Sequence, residues 1–205
     1  TYAQHVLLQP FTDSIGTVAA TDVAYDKQDD RAYAAIVIYD PQTQTVIEQA
    51  SWSGTPEYPY QSGLFSLREA PLLFAAWASL SSQPDLLLVD GHGIAHPRRF
   101  GLASHLGVAL DLPTIGVSKT PFFGEHTPPP PQRGAYTPIL DQATSIGCTI
   151  CTQDNTKPMY VSPGHKMDID SAISIVLQLS PRSRQPEPLR AAHLYSVQLR
   201  SAGNA

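Results

Sequence analysis

The run at 86–99, LLLVDGHGIAHPRR, gathers a carboxylate, two glycines, two histidines and an arginine pair behind four apolar residues. Those apolar residues, bounded by Pro84 and Gly91, have the length and flanks of a buried strand. Asp90, Gly91, His92, Gly93, His96, Arg98 and Arg99 therefore follow a strand's carboxyl end, where open α/β sheets collect their chemistry. A carboxylate there is placed to hold a hard cation, glycines let a ligand approach the backbone, and paired arginines suit a phosphate. An Asp after a strand can instead cap the next helix. The His, Gly and Arg around this one favour the chemical reading.

Two further acids stand in apolar company. Asp22 interrupts VAATDVAY where an apolar side chain is expected, and Glu69 follows Arg68 in an otherwise apolar helical stretch. A structural Arg68–Glu69 pair is the plain alternative, although adjacent helix residues do not face each other. Carboxylates in such places need partners. Three of them at one site repel unless a cation compensates, and oxygen ligands of this kind suit Mg²⁺ or Mn²⁺. Such a centre activates water and stabilises in-line displacement at phosphorus. His165, in SPGHKMDID, is a candidate metal neighbour, phosphate contact or proton shuttle; otherwise it is a surface residue at a strand–helix junction. Lys119, ending TIGVSK, is a phosphate binder or a solvated strand end.

These residues need a scaffold. Apolar stretches at 17–25, 32–40 and 45–52, joined by short polar turns, predict a three-strand antiparallel meander. A Pro/Gly/Tyr-rich loop at 53–63 leads to a mostly buried helix at 64–81. After the strand ending at Asp90 come a helix at 98–110, a strand at 113–119 and a loop at 120–138 carrying a PPPP run. Strands near 146–152 and 158–162 follow, then an amphipathic helix at 168–180 started by Asp168 or Asp170, and a last helix at 188–200. A meander followed by alternating helix and strand implies a mixed α/β sheet with helices packed on it.

The 205 residues fit one domain. No 18-residue apolar stretch and no signal-peptide pattern are visible, which points to the cytoplasm and away from a membrane. Cys148 and Cys151 lack the second ligand pair of a zinc site and read as ordinary reduced thiols. Net charge is −5, which argues against a sticky nucleic-acid binder. Its distribution is uneven, with 8 acids and 2 bases in residues 1–60 against 10 acids and 11 bases in the rest.

VAATDVAY, PYQSGLFSLRE, PDLLLVDGHGIAHPRRFGLASHLG, PTIGVSK, SPGHK and PEPLRAAH together resemble the endonuclease V family in order and approximate spacing. The resemblance implies an RNase H-like mixed sheet, with residues 1–205 forming a single catalytic domain whose N-terminal helix is shortened. It implies a Mg²⁺-dependent endonuclease (Mn²⁺ substituting) that acts on DNA containing deaminated adenine. The enzyme would cut the second phosphodiester bond 3′ to the lesion, leaving 3′-hydroxyl and 5′-phosphate ends, and would work as a monomer. By the same resemblance Asp22 and Asp90 match the metal aspartates, Glu69 the catalytic glutamate, His165 the histidine of an S-x-G-H motif, and Lys119 a lysine near the scissile phosphate. Tyr60 matches the tyrosine of a strand-separating PYIP wedge, while Gly63, Phe65, Gly91 and His96 match the pocket for a flipped hypoxanthine. PYQS stands here in place of PYIP, which loses an apolar residue and a proline from a wedge that is normally stiff and apolar. Inosine-containing RNA is the alternative substrate, its unpaired bases being easier to read. A non-catalytic binding relative would have no need for all four of Asp22, Glu69, Asp90 and His165.

Overall fold

A computed structural model describes residues 2–59, 61 and 65–203. One eight-stranded mixed sheet runs through it in the order β3-β2-β1-β4-β5-β8-β7-β6. The meander is β1 (Val18–Tyr25), β2 (Ala32–Asp40) and β3 (Thr45–Gly54), each antiparallel to the next. Helix α1 (Phe65–Trp77) then leads into β4 (Leu86–Asp90), and α2 (Leu102–Leu110) into β5 (Thr114–Ser118). Strands β1, β4 and β5 are mutually parallel at the sheet's centre. The far half is β6 (Tyr136–Asp141), β7 (Thr144–Ile150) and β8 (Met159–His165), followed by α3 (Ile169–Gln178) and α4 (Glu187–Gly203). This is the expected RNase H-like architecture. Among the described residues no helix is long and apolar enough to cross a membrane.

Strand alternation divides the core in two. Val18, Ala20, Leu86, Leu88, Ile115 and Val117 face α3 and α4, packing with Ile173, Val176, Leu189 and Ala192. Ala19, Ile36, Ile38, Leu87 and Val89 face the other way, onto Leu72 and Leu73 of α1 and Leu102 and Leu106 of α2. Each fully buried Leu or Ile contributes about 1.5–3 kcal/mol. The same parity decides the site, because Asp22 continues the Val18–Ala20 series and Asp90 the Leu86–Leu88 series. Both acids thus leave the sheet on the side covered by α4.

Three expectations about elements need correction. Residues 98–101 do not open α2: Arg99 lies at φ 53, in the left-handed region, and the helix starts after Gly101. The stretch 120–138 is not loop throughout, since Tyr136 begins β6. Pro138 is tolerated in β6 because this strand is the last of the sheet, its other side bridged only at Leu140, by Glu125, among the described residues. The strands expected near 146–152 and 158–162 run instead over the β7 and β8 residues. Asp168 is the N-cap of α3, its side chain accepting the Ser171 N–H at 2.8 Å. Cys148 and Cys151 are both free and buried, and burial pushes the Cys148 thiol up to about 12.

Candidate active site

Asp22 on β1 and Asp90 on β4 come side by side because the two strands are parallel and in register, Thr21 opposite Val89. Helix α1 adds Glu69 from the opposite side of the sheet, and the three acids line one cavity of about 350 Å³. That size falls within the ~300–1,000 Å³ of small-molecule sites. Phe65, Gly91, His92, His96 and Phe122 form further parts of its wall. Tyr60 and Gly63 lie outside the described residues.

Each acid is held by something definite. Glu69 accepts a hydrogen bond from the Tyr25 hydroxyl at 3.0 Å. Arg68 does not pair with Glu69. Its guanidinium lies over the Tyr25 ring at 4.9 Å and bonds Asp30 at 2.5 Å and the Tyr58 carbonyl at 2.6 Å. Asp22 is fastened from α4: the Ser196 hydroxyl donates to Oδ2, and His193 Nδ1 stands 3.3 Å from the same oxygen.

Crowding shows in the protonation equilibria. Glu69 is fully buried, and desolvation raises its pKa well above the usual range; the Tyr25 hydrogen bond opposes this, while the charges of Asp22 and Asp90 add to it. Burial, then the facing Asp22 carboxylate, pushes the Asp90 carboxyl up to about 7. Lys119, just past β5, is near enough to draw it back down in part. The three acids that the sequence set apart thus line one cavity, with Glu69 and Asp90 both raised by burial and by the Asp22 charge.

An unfolded chain ionises such an Asp near ~4. Between about 4 and 7 the folded protein therefore holds a proton at Asp90 that the unfolded chain has lost. The contribution of Asp90 to metal-free stability accordingly falls as pH rises through that interval. Asp90→Asn keeps the shape and lacks the charge. In chelator at pH 8 it is expected to melt a few degrees above the wild type, at about 2–4 °C per kcal/mol, with the gap closing as pH drops toward 4. Thermal unfolding of both proteins across pH checks this; equal midpoints at pH 8 would mean Asp90 is not under charge strain.

Among the described residues no group of three or more His, Cys, Asp or Glu forms a ready-made metal cage. A magnesium-type site needs less, because Mg²⁺ keeps several waters and uses one or two carboxylates together with substrate phosphate. The Asp22–Asp90 pair, short of compensating positive charge and bearing hard oxygen donors, fits such an ion.

His165 does not join this group. Strand β8 runs antiparallel to β5, so His165 pairs with Thr114 at the start of β5, while Asp90 pairs with Val117 near its end. Three residues along the ladder separate the two levels, roughly 10 Å. There His165 is buried, accepts the Leu7 N–H at Nδ1 (3.3 Å) and turns Nε2 toward Asp111 at 3.6 Å. The imidazole that stands by the carboxylates is His193, which the sequence reading left unassigned within PEPLRAAH.

The strand-end run around Asp90 divides its labour. Gly91 lines the cavity. Gly93 instead packs into β8, where a methyl group would overlap the Pro163 carbonyl and where its N–H donates to Ser162 Oγ at 2.8 Å. Arg99 is engaged by Asp141 and lies over the Phe123 ring at 5.7 Å, while Arg98 is exposed. The arginine pair is therefore not a ready phosphate clamp. His92 and His96 both pack against the Phe122 ring, at 5.7 and 5.4 Å between centroids. Burial, then His96, lowers His92 to about 4, so this imidazole is neutral at pH 7. Nothing in the Pro-rich stretch marked Phe122 as a wall residue.

A family model described as Endonuclease V matches residues 1–194. Endonuclease V of Geotalea uraniireducens is 42% identical over 200 residues, covering 98% of this chain and 85% of its own. The crystal structure of endonuclease V from Streptomyces avermitilis has a TM-score of 0.93 at 40% identity, covering 100% of this chain and 90% of that one. Ciona intestinalis endonuclease V, crystallised with a 24mer DNA containing an inosine followed by a ribo-adenosine, has the same fold at TM-score 0.81 and 24% identity, over 98% of this chain and 94% of that one.

Proposed function

The chain belongs to the endonuclease V family, and from that premise we propose that it is a Mg²⁺-dependent endonuclease for inosine-containing DNA, acting in repair of deaminated adenine. The observation that carries this reading is the meeting of Asp22, Glu69 and Asp90 at a cavity of about 350 Å³. A bound divalent cation, held by Asp22 and Asp90, would lower the pKa of a water and offset charge on the scissile phosphate. Mn²⁺ has the same donor preferences and substitutes.

The protein's own groups supply the rest. The lesion base leaves its stack and enters the cavity, against Gly91, His96 and Phe65. Neutral His92 offers a hydrogen-bonding edge without charge, which suits a neutral lactam base. Glu69, kept basic in tendency by burial, is the candidate to orient or accept a proton from the attacking water. His193, with its side chain 45% exposed and Nδ1 facing Asp22, is placed to move a proton between the site and solvent. Lys119 stands where a phosphate beside Asp90 would need a counter-charge. Membership of the endonuclease V family makes the second phosphodiester bond 3′ to the lesion the expected cut. The products would carry 3′-hydroxyl and 5′-phosphate ends, and a single catalytic domain suffices for this as a monomer.

A second reading keeps the chemistry and exchanges the substrate for inosine-containing RNA. PYQS at 59–62 favours it, because a softer wedge suits bases that are already unpaired. The Ciona relative's ligand, with a ribonucleotide following the inosine, is compatible with both. Cleavage with Mg²⁺ of matched inosine-DNA and inosine-RNA oligonucleotides, single- and double-stranded, separates the two. Cutting of inosine-DNA at the second 3′ bond is the expected result. Cutting of RNA alone would select the second reading, and no cutting of any oligonucleotide would leave a binding protein.

A further inference from the structure

Ser196 is a fully buried hydroxyl in the middle of α4, on the face that packs against β1. Its Oγ donates to Asp22 Oδ2 and also lies 2.9 Å from the carbonyl of His193, one turn earlier in its own helix. A hydroxyl has one proton to give, and a charged acceptor takes it in preference to a neutral carbonyl. Helix propensity gives no reason for a buried serine here. The reason lies across the interface, in the carboxylate.

The torsion that sets a carboxylate's plane is broad and nearly two-fold, so an Asp left to itself swings its oxygens. His193 cannot stop this alone, since its contact with Oδ2 is 3.3 Å long and its ring is half exposed. We propose that Ser196 is the positioning residue of the cation site: its hydroxyl keeps Asp22 Oδ2 for α4 and so turns the other oxygen toward Asp90 and the cavity. This inference rests on Asp22 and Asp90 being the cation carboxylates.

Metal-free protein titrated with Mn²⁺ and read by electron paramagnetic resonance tests it. Outer-sphere partners of metal ligands are typically worth ~10–100-fold in affinity, and Ser196→Ala is expected to bind Mn²⁺ about tenfold more weakly at an almost unchanged melting temperature. Ser196→Thr, which restores the hydroxyl, should return most of the affinity. The Mg²⁺ concentration for half-maximal cleavage should rise in Ser196→Ala, with the rate at saturating Mg²⁺ much less affected. Ser196→Cys retains the packing and lacks a strong donor, so it must show the same loss even if the alanine variant fails to fold. Wild-type Mn²⁺ affinity in folded Ser196→Ala or Ser196→Cys would overturn the inference while sparing the cation site. A wild-type protein that binds no Mn²⁺, or binds it equally after Asp90→Ala, would overturn the cation site itself and this role with it.

Discussion

Asp90→Ala should yield a folded protein that still binds an inosine oligonucleotide and no longer cuts it. The carboxylate is one of two that hold the proposed cation, and losing a metal's charge stabilisation removes several kcal/mol from the transition state. At 1.36 kcal/mol per factor of ten, that lowers the rate by at least about a thousandfold. Binding should change little, because the cavity wall of Gly91, His96 and Phe65 is untouched. Folding should not suffer either, since removal of Asp90 relieves its repulsion with Asp22. Single-turnover cleavage in Mg²⁺, with fluorescence anisotropy in Ca²⁺ for binding, reads both quantities. Cleavage within tenfold of wild type would dismantle the cation reading.

The two histidines give the second large contrast. His193→Ala is expected to lower single-turnover cleavage by about 10²–10⁴, the usual worth of a positioned acid–base group. His165→Ala is expected to leave cleavage by the folded protein within about threefold. Its cost should fall on stability, because the variant empties a buried position beside Thr114 and loses the Leu7 contact. Rate and melting temperature should therefore move in opposite pairs, rate in one variant and midpoint in the other. If His165→Ala proves the inactive one, the geometry has been misread and the S-x-G-H resemblance was the better guide.

Periodicity and punctuation made much of the scaffold readable. The meander and the strand ending at Asp90 stand where alternation and turn residues placed them, and Asp168 caps α3 as its position before an amphipathic run implied. Asp22 and Asp90, the carboxylates proposed to hold the cation, were visible as acids in apolar strands, a pattern that burial makes costly without a purpose. His193 was not, because a histidine on a helix next to two alanines looks like many others. Its partner lies 171 residues away, and nothing local connects them. His165 was misleading for the converse reason: its motif is conspicuous, but strand direction decides which end of the sheet a residue reaches. Antiparallel β8 sends it to the wrong one. β6 was hidden by prolines that usually end strands and are harmless on a sheet's last strand.

The fastening of Asp22 by α4 has a consequence for the making of the protein. Asp22, Glu69 and Asp90 all leave the ribosome before α4 is made. His193 and Ser196 arrive more than 100 residues after Asp90. At ~5–20 residues per second, an order of ten seconds separates the acids from the helix that completes them. During that interval Asp22 lacks the hydroxyl and imidazole that α4 brings to its Oδ2. A chain that stalls before α4 carries Asp22 without either of the contacts that hold its Oδ2.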